Sequence, residues 1–77
     1  MTDDEAHLRH LEEFAEAAYD KMYDARSPSD ATALYSDAKE ALLGAIGLAN
    51  ELGQEATAQR LMARLFHIKA VFRSQFT

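Results

Sequence analysis

His7 and His10 are the residues whose type and spacing could hold a metal. Three apart on a helix, they occupy adjacent turns of one face, and both imidazoles could reach one ion. Two ligands do not make a structural centre, and no His-Glu-x-x-His or Glu-x-x-His pair accompanies them. A weak surface site is the most this pair offers. Two solvated histidines, with no cofactor, are the expectation.

Nucleophilic chemistry has less to work with. The chain lacks cysteine, and Ser27, Ser29, Ser36 and Ser74 fall at caps, surface positions or the chain end. No glycine-rich loop could cradle a phosphate. A nucleophile also needs a base held beside it in a pocket, and a small helical domain encloses little concave volume. Catalysis is therefore not expected.

Arg60, Arg64, Lys69 and Arg73 form the basic set near the end of the chain. Arg60 and Arg64 fall on one flank of a helix with His67, where a polar surface or interface role is expected, and Lys69 and Arg73 fall on another. The set thus makes no single basic stripe. With a net charge of −5, neither nucleic acid nor an anionic membrane is an expected partner.

The charge is uneven along the chain. Residues 1–30 carry nine acids against three bases, and residues 31–77 carry four against five. An acidic first helix and a basic third could attract within one bundle or between two copies. The alternative is two solvated faces.

The elements that must position these residues are read most easily from Ser27 to Gly53. Ser27-Pro28-Ser29-Asp30 has the form of a helix start, with serine at the N-cap, proline at the first helical position and an acid in the first turn. Glu51-Leu52-Gly53 reads as a stop, because glycine takes the left-handed conformation at little cost. Leu34, Ala38, Ala41, Leu42, Ala45, Ala49 and Leu52 form the inward stripe between them. Its alanines let neighbouring helices approach closely. Gly44 and Gly47 lie off that stripe, as tolerated surface positions or as a flat strip for a partner helix.

A helix over about 3–25 precedes this one. Thr2 and Glu5 match a capping box, and Leu8, Leu11, Ala15, Ala18, Tyr19 and Met22 share one face, with Phe14 flanking it. A third helix over about 55–74 turns Ala58, Leu61, Leu65, Ile68 and Phe72 inward, with Phe76 continuing the stripe. Short connections between three helices of matched length predict an all-α, antiparallel up-down-up three-helix bundle in one domain, 1–77. Nothing reads as a strand. The acidic start and the lack of a long apolar run argue against a secretory signal or membrane span. A cytoplasmic setting suits a chain without cysteine.

Within the second helix, Ala38-x3-Leu42-x2-Ala45-Ile46-x2-Ala49 followed by Glu51-Leu52-Gly53 resembles the second helix of a tetratricopeptide repeat. Ala58-x2-Leu61-x3-Leu65-x2-Ile68 is similar to the opening helix of a next repeat. The resemblance implies tight packing of a helical hairpin, and in that family stacked hairpins present a groove for peptides. The first helix departs from the pattern, with Phe14-Ala15 in place of a large residue and glycine, and Ala18 in place of tyrosine. About half the chain is covered. The resemblance describes a packing style rather than a repeat array, which needs at least three units.

An apolar surplus remains. Tyr23, Tyr35, Leu43, Ile46, Met62, Phe66 and Phe76 exceed what three helices bury easily, unless the tyrosines and methionine cover the bundle's ends. Aromatic residues and methionine are favoured in interface cores. Tyr35, Leu43, Ile46, Met62 and Phe66 are therefore expected to form an interface, through which the protein self-associates as a homodimer. The alternative is a monomeric adaptor that binds a helix or peptide of another protein.

Overall fold

A computed structural model of the chain describes residues 3–76. Among them are three helices, α1 (Asp3–Met22), α2 (Pro28–Glu51) and α3 (Glu55–Gln75), and no strand. The protein is an all-α three-helix bundle, as its periodicity predicts. Close backbone approaches run between α1 and α2 and between α2 and α3. That makes α2 the central helix.

Local chemistry fixes both ends of α2. The Asp30 amide donates to Ser27 Oγ at 3.1 Å, and Pro28 begins the helix, so an orphan amide is satisfied and another is absent. At the far end the Gln54 amide donates to the Ala49 carbonyl at 2.8 Å and the Gly53 amide to the Asn50 carbonyl at 3.1 Å. This pair of bonds is a Schellman motif, which needs a left-handed residue at its centre. Gly53 supplies it, at φ 75°.

The first helix is shorter than its predicted span of 3–25. Beyond Met22 the bonds become i to i+3, from the amides of Tyr23, Asp24 and Ala25 to the carbonyls of Asp20, Lys21 and Met22. The last turn thus tightens where Met22 is fully buried, and the chain departs toward Pro28. The other two helices end within one residue of expectation. The capping box on Glu5 requires Thr2, which lies outside the described residues.

The core is built from small residues on α2 and larger ones around it. Ala15, Ala38, Ala45 and Ala49 are completely inaccessible, and Met22, Leu42, Leu61 and Ile68 are the largest fully buried side chains. Each of these large side chains contributes about 1.5–3 kcal/mol by leaving water. No polar side chain is buried among the described residues. Gly44 is exposed beside α1, where a Cβ would meet Leu11 Cδ1 at 3.6 Å, whereas one at Gly47 would meet open space.

Candidate interaction face

Arg60 and Arg64 show which flank of α3 faces α1. Arg60 donates to Glu12 of α1 at 2.8 Å, and Arg64 grips Glu16 through Nε at 2.8 Å and Nη2 at 2.6 Å. At about 100° per residue, a side chain two positions on is turned about 200° round the helix. Met62 and Phe66 each stand two beyond an arginine that reaches α1, so they face away from α1. On α2, Ile46 stands two beyond Gly44, where a Cβ would point at Leu11 of α1. Leu43, three before Ile46, shares its flank.

Leu43, Ile46, Met62 and Phe66 therefore gather on the outer side of the α2–α3 hairpin. Ile46 is half-buried against the core. Leu43, Met62 and Phe66 are 51%, 44% and 62% exposed, which is a large apolar fraction to leave in water at neighbouring levels of two helices. Lys69 borders the patch, with Nζ 5.9 Å from the Phe66 ring centroid.

Tyr35 has a different setting. Its ring stacks on Phe72, with centroids 4.1 Å apart, and Phe72 is stacked in turn on Phe76. Phe76 meets Tyr23 edge-on at 5.5 Å, and Tyr23 meets Tyr19 in the same way at 5.5 Å. Five aromatic residues, Tyr19, Tyr35 and Phe72 from the three helices and Tyr23 and Phe76 just past α1 and α3, thus gather at one end of the bundle. Tyr35 and Phe76 are half-buried there, whereas Tyr23 touches its neighbours edge-on and stays 52% exposed.

The α1–α3 seam is a second feature. An open groove of about 420 Å³ lies between the two helices, lined by Glu12, Glu16, Leu42, Arg60, Arg64 and His67 among others. Its charges are compensated. The hydrogen bond to Glu16 raises the Arg64 pKa, so the guanidinium stays fully charged. The Arg64 guanidinium also sits 4.9 Å from the Tyr19 ring centroid. A hydrogen bond with Tyr23, at 2.9 Å between hydroxyls, raises the Tyr19 pKa, and partial burial adds to it. The attraction between the acidic first helix and the basic third thus operates within one chain.

His7 and His10 are both exposed on α1, and no group of three potential metal ligands forms among the described residues. Phe14, outside the expected apolar surplus, is 51% exposed. Its position one flank away from the Leu8–Met22 stripe was the available signal.

No protein-family model, curated protein or solved structure matches this chain.

Proposed function

We propose that this protein is a small non-enzymatic interaction module that self-associates through the outer side of its α2–α3 hairpin. The observation that carries the reading is the exposure of Leu43, Met62 and Phe66 on one side of that hairpin. Aromatic, methionine and leucine surface at adjacent levels is costly in water and typical of an interface centre. Arg60 and Arg64 are engaged by Glu12 and Glu16, which leaves little free positive charge for nucleic acid on that flank. No described helix is long and apolar enough to cross a membrane, and the proposed setting is the cytoplasm.

The test is the mass in solution, by light scattering behind size exclusion, across a wide range of protein concentration. A dimer or larger assembly is expected. Phe66→Asp should give a monomer that keeps its helicity. A wild-type chain that stays monomeric at every concentration would remove the self-association reading and assign the face to another protein.

A further inference from the structure

The third helix carries two stripes at heptad spacing. One is the core stripe, Ala58, Leu61, Leu65, Ile68 and Phe72. The other runs along the outer flank at steps of four and three: Glu55, Gln59, Met62, Phe66, Lys69 and Arg73. Sustained steps of this kind keep a stripe facing one neighbouring helix.

The order of residues along the outer stripe is informative. An acid stands at its start, two apolar residues lie at its centre and two bases close it. Reversed and laid against itself about position 64, the stripe sets Met62 against Phe66, Gln59 against Lys69 and Glu55 against Arg73. Each apolar residue then meets an apolar one, and each end places an acid beside a base. Laid parallel, the same stripe would oppose Glu55 to Glu55 and Arg73 to Arg73.

The second helix agrees with that centre. The Tyr35–Phe72 stack sets the register of α2 against α3. Leu43 is eight residues after Tyr35 and position 64 is eight before Phe72, so Leu43 lies level with the midpoint of Met62 and Phe66. One two-fold axis can therefore pass both helices, bringing Leu43 to Leu43 of a second copy while α3 meets α3. Isologous contacts of this kind are the commonest way that identical chains pair.

The geometry points to a second copy of this chain as the occupant, docked antiparallel by a two-fold axis level with Leu43, with Glu55 of each protomer beside Arg73 of the other. This inference rests on the self-association reading and adds the orientation.

Two measurements on the full chain test it. Glu55→Arg and Arg73→Glu each place like charges at both ends of a homodimer, so each variant alone should dissociate at least tenfold more readily than wild type. An equimolar mixture restores an acid–base pair at both ends and should recover most of that tenfold as a heterodimer. Independently, Glu55→Cys and Arg73→Cys chains, mixed and treated with a short bismaleimide, should give the 55–73 link. In this orientation identical positions lie about 27 Å apart along the axis, at 1.5 Å per residue, so 55–55 and 73–73 links should be absent. Circular dichroism of each variant checks that it is folded. With the wild type a dimer, 55–55 links from the Glu55→Cys chain, or mixed reversal variants that associate no better than either alone, overturn the orientation and leave self-association standing. A wild-type monomer at all concentrations overturns both.

Discussion

Arg64 and Glu16 are joined by two hydrogen bonds, Nε to Oε2 at 2.8 Å and Nη2 to Oε1 at 2.6 Å, across the gap between the first and third helices. A bidentate guanidinium–carboxylate pair fixes angle as well as distance. Both side chains keep contact with water, being 35% and 43% exposed. Screening therefore limits what the pair contributes. Replacing Glu16 by Gln should lower stability by about 0.5–1 kcal/mol, and the loss should shrink in molar salt. Thermal denaturation at low and high salt reads this directly. A loss that does not respond to salt would mean the carboxylate acts through packing instead.

The alanine face of α2 sets how near the other helices come. Ala45 is completely inaccessible, so Ala45→Leu has no room to fill and should cost about 1–3 kcal/mol through displaced neighbours. Leu61→Ala removes volume from the same core and should cost about 2–5 kcal/mol. Denaturant unfolding compares the two. A neutral Ala45→Leu would show that α2 and its neighbours can separate without penalty.

Two glycines should respond to alanine in opposite directions. A Cβ at Gly47 meets nothing within 4 Å, so Gly47→Ala gains helix propensity and should stabilise by up to about 1 kcal/mol. Gly53 holds φ 75° in the Schellman turn. An alanine there is strained, and Gly53→Ala should destabilise by about 1 kcal/mol or more. Equal shifts in melting temperature would contradict the different backbone roles of these positions.

The Tyr19 hydroxyl is held by Tyr23, which favours its neutral form and raises its pKa. A raised folded-state value means that the contribution to stability is whole below the unfolded tyrosine pKa of about 10. It is lost as pH rises through the higher folded value. Tyr23→Phe removes the largest cause, so Tyr19 should ionise at lower pH than in wild type. An alkaline spectrophotometric titration of phenolate absorbance follows this. Curves that differ only by the one missing phenol would discard the assignment.

Much of this architecture is written locally. Ser27, Pro28 and Gly53 act through atoms within a few residues of themselves, so both ends of α2 were legible before any packing was known. The inward stripes were legible for the same reason, since helical periodicity alone sorts Ala45 from Leu43. The end of α1 was not, because neither glycine nor proline marks it: the helix tightens where Met22 becomes buried, and burial depends on the other helices. The Glu12–Arg60 and Glu16–Arg64 pairs were foreshadowed only as opposite charge on two flanks, since which flanks meet is decided by the handedness of the bundle. Tyr35 reads as surplus in the sequence because nothing there shows that Phe72 arrives beside it. Leu43, Met62 and Phe66 were legible as surplus because each falls off the stripe its own helix buries.

The ion pairs between α1 and α3 each join positions 48 residues apart, whereas the two helical hairpins close through connections of a few residues. Loop closure is slower over the longer distance, and local pairings form first. Either hairpin can thus assemble before the charged ties exist, and the ties are expected to fasten late, on the native side of the folding barrier. Weakening them should speed unfolding while leaving the folding rate almost unchanged. The Glu–Arg clasps are then less a guide for the chain on its way in than a latch that slows its way out.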